Sequence, residues 1–208
     1  AILDYGAQDQ LQTNLAARGL TPADIDHVVM SHCDYDHLGG ATWRREDGLI
    51  VPAFPKATYH IHKTEWEDLT NPFERAKGTY LRDNWEAVER AGQVKLIEHD
   101  GELSGLPGIS IFHTGGHTRG HVVIQVESQG EGAVYMGDLM PSRHHLNPLW
   151  VMAYDNFPLT SIEQRGSWTR TLAERGWWLL FYHDVDLGAG RWDRDGQLVD
   201  SVPLPAHP

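Results

Sequence analysis

The 208-residue chain has a single cysteine, Cys33, so no disulfide can form within it and a four-cysteine zinc site is excluded. Basic residues are also scarce: 17 Lys and Arg stand against 29 Asp and Glu, for a formal net charge of −12. Nucleic acids and anionic membranes require a basic face, so neither is expected as a partner, and a small-molecule substrate is. No apolar run approaches the ~20 residues of a membrane span; the longest, Trp177 to Tyr182, is strand-sized. Internal repeats, low-complexity tracts and a signal-peptide pattern are absent, which makes a cytoplasmic location the expectation. Ala1-Ile2-Leu3-Asp4 reads as the middle of a strand, so further chain is expected before it.

Histidine, by contrast, is abundant, with thirteen residues. A metal held by this chain would take imidazole and carboxylate donors. The stretch SHCDYDHLGG at 31–40 places His32, Asp34, Asp36 and His37 in six positions. His32 and Asp34, two apart, point to one side of an extended loop, whereas the adjacent Asp36 and His37 diverge. Two readings stand at this point: a metal site, or a solvated polar turn with Asp36 as a helix N-cap.

The surrounding pattern is mixed α/β. A strand over Ile2–Tyr5, a helix over Gln8–Arg18 capped by Gly19, a Thr21-Pro22 turn and a strand over His27–Met30 suggest a parallel unit. A strand follows at 57–62, and Thr64 to Glu67 reads as a capping box opening a helix. Residues 72–91 read as mostly helical and polar. Strands are expected at 94–97, 109–113, 122–127 and 133–136, then a long loop over 139–160, a helix over 161–175 ending at Gly176, and a final strand at Trp177–Tyr182.

Three later motifs bear on the two readings. GGHTRGH puts His117 in a glycine-rich turn after a strand, YMGDLM puts Asp138 after the next, and LLFYHDV puts His183 after the last. α/β proteins collect functional groups at the carboxyl ends of strands, and a series of this kind favours the metal reading.

These motifs, in this order, resemble the metallo-β-lactamase superfamily signature H-x-H-x-D-H, G-H-T-x-G-H, G-D and a last His. The similarity runs from Leu3-Asp4-Tyr5-Gly6 to His183. It implies an αββα sandwich, shortened at the N-terminal end, as a single domain over 1–208. Residues 72–91 are then expected as a helical insertion or lid and 139–160 as a long active-site loop. The resemblance further implies two divalent ions, with zinc expected and manganese or iron as alternatives. His32, Asp34 and His117 would hold one ion, Asp36, His37 and His183 the other, and Asp138 would bridge them. Asp34 departs from the family, which has histidine there, and a carboxylate makes the site harder and more anionic.

Around the ligands, Asp4 is expected to orient a metal-bound histidine and His121 to hydrogen-bond structurally. His145, with His144, and Tyr154 are expected to border the substrate. Trp43 and Trp150 are pocket candidates. The resemblance implies a hydrolase that uses a metal-bridging hydroxide on a lactone, thioester or other activated ester, with Asp36 as the catalytic residue that orients the hydroxide and moves a proton. Alternatives are a diiron oxygen-reducing or dioxygenase-like protein, since flavodiiron proteins carry an acid at the Asp34 position, and a metal-binding module without turnover.

Overall fold

A computed structural model describes residues 10–204. The expected strand at Ile2–Tyr5, and with it Asp4, lies outside these residues. In chain order the elements are α1 (Gln10–Ala16), β1 (His27–Val29), α2 (Tyr35–Leu38), β2 (Thr42–Arg44), β3 (Ile50–Pro52), β4 (Thr58–His62) and α3 (Lys63–Thr70). They continue with α4 (Glu86–Arg90), β5 (Val94–Ile97), β6 (Gly101–Glu102), β7 (Ile109–His113), β8 (Val122–Ser128) and β9 (Glu131–Tyr135). Helix α5 (Pro158–Arg175), β10 (Trp178–Leu180), β11 (Leu187–Trp192) and β12 (Leu198–Pro203) complete them. They fall into two compact units: the first runs to Ile61 and takes in Pro72–Leu96, and the second comprises His62–Asn71 and the chain from Ile97 onward.

In the first unit β1 runs parallel to β4, with Val28 opposite Tyr59, and β2 and β3 form a separate antiparallel pair. Tyr59 is fully buried; its hydroxyl donates to the Ala41 carbonyl at 3.1 Å, and burial pushes the phenol up to about 12. Residues 72–91 are helical only in short pieces: two 3-10 turns, at Ala76–Gly78 and Arg82–Asn84, precede α4. The expectation of a mostly helical stretch is corrected here. Ala76, Tyr80, Trp85, Ala87 and Val88 are buried, so burial rather than helical periodicity governs the segment.

In the second unit one sheet has the order β12-β11-β10-β9-β8-β7-β6. β8 is antiparallel to both β7 and β9, and β10 is parallel to β9. Strands β7, β9 and β10 therefore point the same way and end on the same side of the sheet. Val123, Val134, Met136, Leu139, Met140, Leu172 and Leu179 form the core, with Phe112, Trp168 and Trp177 packed against it. Burying each large aliphatic side chain contributes roughly 1.5–3 kcal/mol.

Helix α5 begins at Pro158, whose fixed φ suits a first helical turn, and stops at Gly176, which adopts φ +65°. Two expectations are corrected in this unit. Thr64 does not cap α3; the His62 side chain accepts the Thr64 N–H at 3.3 Å instead. The strand after α5 is not the last, because β11 and β12 follow it as a hairpin.

Candidate metal centre

The first unit contributes the loop that follows β1. Pairing with β4 continues past the strand through the Met30 N–H to the His60 carbonyl, which carries the chain straight to Ser31 and His32. His32 is fully buried, and its Nδ1 lies 3.2 Å from Ser31 Oγ. Asp34 is the N-cap residue of α2, and its carbonyl accepts the N–H groups of His37 and Leu38 at 3.0 and 2.9 Å. Its carboxylate makes no capping bond, and Asp36 lies inside the helix, so the N-cap role assigned to Asp36 in the polar-turn reading is not observed. The single turn of α2 folds His37 back over His32, with ring centroids 3.9 Å apart. Asp36 Oδ2 lies 3.6 Å from His37 Nε2. His32 with Asp34, and Asp36 with His37, each offer donor atoms within 4.8 Å of one another. Cys33, in the same loop, is buried.

The second unit contributes the ends of β7, β9 and β10. After β7, Gly115 and Gly116 adopt φ +60° and +86°. A Cβ on Gly116 would stand 2.7 Å from Ser161 Oγ, so only glycine lets this turn settle against the start of α5. The Gly116 and His117 carbonyls there accept the N–H groups of Phe157 and Asn156 at 2.8 and 3.0 Å. After β9, Gly137 at φ +51° turns the chain into a 3-10 turn that presents Asp138. After β10, the His183 N–H donates to the Pro141 carbonyl at 3.0 Å, tying the two strand ends together.

The buried Asp138 carboxylate stands between two imidazoles. Its Oδ2 lies 3.7 Å from His117 Nε2 and its Oδ1 lies 3.2 Å from His183 Nε2. Two donors each ~2.0–2.1 Å from one tetrahedral ion are about 3.4 Å apart, whereas a direct N–H···O bond peaks near ~2.9 Å. The 3.7 Å at His117 and the 3.6 Å between Asp36 and His37 lie nearer to shared coordination than to a hydrogen bond, and the 3.2 Å at His183 falls between the two. A buried carboxylate with one oxygen toward each of two imidazoles fits divalent ions.

The other predicted residues lie close by in the second unit. His121 Nδ1 is 2.8 Å from Thr114 Oγ1, within the neck of the glycine turn. Tyr154 meets the His117 ring edge-on at 5.7 Å. His145 Nδ1 is 2.9 Å from Ser142 Oγ, and burial, then the Arg165 charge, pushes its pKa down. Trp150 is exposed and stacks on His144 at 6.5 Å. In the first unit, Trp43 lines an open groove with Gln12, Arg44 and Asp47.

Two residues of the second unit, Asp155 and Arg165, went unread in the sequence. Asp155 Oδ1 lies 3.2 Å from His117 Nδ1, and its Oδ2 accepts from Arg165 at 3.0 Å. Asp184, next to His183, accepts the N–H groups of Arg143, Asp186 and Leu187 at 2.9, 3.0 and 3.0 Å. Burial would raise the Asp184 pKa, but these donors and the Arg143 charge outweigh it and hold the carboxyl below its ordinary value. The adjacency of Asp184 to His183 was visible in the sequence; the distant pairing of Asp155 and Arg165 with His117 had no local signature.

Comparison with known proteins places this geometry in a family. A probable metal-dependent hydrolase from Staphylococcus aureus superposes with a TM-score of 0.87 at 35% identity, over 96% of this chain and 70% of that one. A probable metallo-hydrolase of Mycobacterium tuberculosis is 30% identical over 156 residues, 66% of this chain and 46% of that protein. An N-acyl homoserine lactonase from a Bacillus species is 29% identical over 129 residues, 62% of this chain and 44% of its own. The chain thus spans less than half the length of these two curated relatives. The model of the metallo-beta-lactamase superfamily matches residues 3–197, and the chain belongs to that superfamily, with its mixed α/β fold.

Proposed function

We propose that the chain is a metal-dependent hydrolase of lactones, thioesters or other activated esters. The observation that carries this reading is the Asp138 carboxylate, buried with one oxygen toward His117 and the other toward His183. The motif order of the family supports His32, Asp34 and His117 as donors to one divalent ion and Asp36, His37 and His183 as donors to a second, with Asp138 shared. Zinc suits the four histidines, and the three aspartates broaden acceptance toward manganese and iron. When bound, such ions lower the pKa of water and polarise a carbonyl.

The chain's own residues supply the rest. Asp36, about a third exposed at 34%, is open enough to take a proton from an attacking water and pass it to the leaving group. His117 and Asp138 are buried, which excludes bulk water behind the reacting atoms and strengthens their electrostatic effect. Tyr154, edge-on to His117 and half exposed, is placed to border a substrate. The lactonase relative supports a cyclic ester among the substrate classes.

A panel of lactone, thioester, ester and phosphodiester substrates, run on protein loaded in turn with zinc, manganese and iron, tests the reading. Turnover of a lactone or thioester that disappears with a chelator is the expected result. Phosphodiester turnover alone, or a visible iron absorption band with oxygen consumption and no hydrolysis, would overturn it.

A further inference from the structure

Arg165 is the largest side chain buried without solvent exposure in the described residues, and it sits on the core-facing side of α5. A buried guanidinium persists only where its donors are matched, and here every branch is used. Its Nε donates to the Leu139 carbonyl, its Nη1 to the Trp150 carbonyl at 2.8 Å, and its Nη2 to Asp155 Oδ2 at 3.0 Å. Leu139 directly follows Asp138, so one rigid fork fixes the Asp138 turn and the Asp155 carboxylate together. The far oxygen of Asp155 faces His117 Nδ1 at 3.2 Å, with both side chains buried.

An ionised carboxylate can only accept, so the Nδ1 of His117 must carry the proton in this contact. The Nε2 of the same ring, 3.7 Å from Asp138, is then left with its lone pair toward the carboxylate it would share an ion with. We propose that Asp155, anchored by Arg165, is a positioning residue that selects the Nδ1–H tautomer of His117 and so presents Nε2 as a donor atom. The proposal rests on the metal reading above and adds the device that sets one donor's tautomer and aim. The same guanidinium keeps that donor in register with Asp138, since it holds the backbone beside one and the partner of the other. Outer carboxylates of this kind are worth roughly 10–100-fold in metal affinity.

The test uses the full chain and zinc, titrated against a chromophoric chelator, with His117→Ala as reference background. Asp155→Asn keeps the shape and removes the obligatory acceptor; Asp155→Glu keeps the charge facing Arg165 but shifts the oxygen away from His117, and stands in should the first variant fail to fold. Each is expected to weaken zinc binding about 10–100-fold in the wild-type background and by less than about twofold beside His117→Ala. In histidine-labelled protein, the downfield His117 Nδ1–H resonance should be sharp in the wild type and lost or shifted upfield in both variants. Unchanged zinc affinity in both variants, an equal loss in the two backgrounds, or a His117 protonated at Nε2 alone would overturn the proposal. If His117→Ala binds zinc as the wild type does while the Nδ1–H resonance still depends on Asp155, the metal role of His117 fails and the tautomer assignment stands.

Discussion

Gly120 packs so tightly on Glu65 that a Cβ at Gly120 would stand 2.1 Å from the Glu65 backbone nitrogen. The neighbouring Thr118 hydroxyl donates to the buried Glu65 carboxylate at 2.7 Å, and Arg119 pairs with Asp68 one turn along the same helix. Helix α3 is thereby clamped onto the loop that bears His117. Gly120→Ala should destabilise the protein by about 1–3 kcal/mol, since backbone cannot yield as a flexible side chain can. Chemical denaturation will read this as a lower midpoint with an unchanged slope.

Replacing Asp138 attacks the proposed shared donor directly. Asp138→Ala should reduce bound zinc and lower hydrolysis by more than about 100-fold, because the oxygens facing both His117 and His183 go together. Elemental analysis alongside kinetics checks this; full zinc content with near-normal turnover would remove Asp138 from the centre.

Asp34 stands where the family signature H-x-H-x-D-H has histidine. Asp34→His exchanges an anionic oxygen donor for a neutral imidazole, so zinc should be retained more strongly relative to manganese, by roughly tenfold in competition. Asp34→Ala should instead lower total metal content. A competition ratio that neither substitution moves would return Asp34 to the role of a loop residue.

His60 predicts a pH dependence. Its Nε2 lies 3.1 Å from His27 Nδ1, and burial, then the charges of Lys95 and His27, push its pKa down to about 4 from an ordinary value of 6.5. Between those values the unfolded chain binds a proton that the folded chain refuses, so stability rises with pH across the window. The contribution is fully present above 6.5 and disappears as pH falls toward 4, on the order of 2 kcal/mol after allowing for solvent screening. Urea denaturation at pH 7 and pH 4 should show this loss, and His60→Gln should flatten it.

How much of this was legible in the sequence depended on the range of each signal. The strands ending near His113, Tyr135 and Leu180 were readable, because hydrophobic runs closed by Gly or by Asp are local patterns. The position of Gly176 ended α5 as expected. The hairpin of β11 and β12 was missed, since its glycines and acidic residues read as loop and only pairing with β10 makes it a sheet. Arg165 went unread for a different reason. It stands on a helical stripe with Trp168 and Leu172 where an apolar residue is the default, and its partners Leu139, Trp150 and Asp155 are remote in sequence. Side-chain identity could nominate donors such as His117 and Asp138, but not the Asp155 carboxylate behind His117.

The parallel junction between β9 and β10 has a kinetic consequence. Parallel neighbours cannot be joined by a tight turn, so everything from Tyr135 to Trp178 must be threaded across before the two strands can zip. Hairpins such as β7–β8–β9 close early because their partners are adjacent, whereas this long-range closure is slow. The crossing segment is also where Asp138, Asp155 and Arg165 reside, and the strand it delivers ends just before His183. A refolding chain therefore acquires the Asp138–His183 spacing only once β10 has joined β9, so capture of a metal by that pair would report this long-range closure.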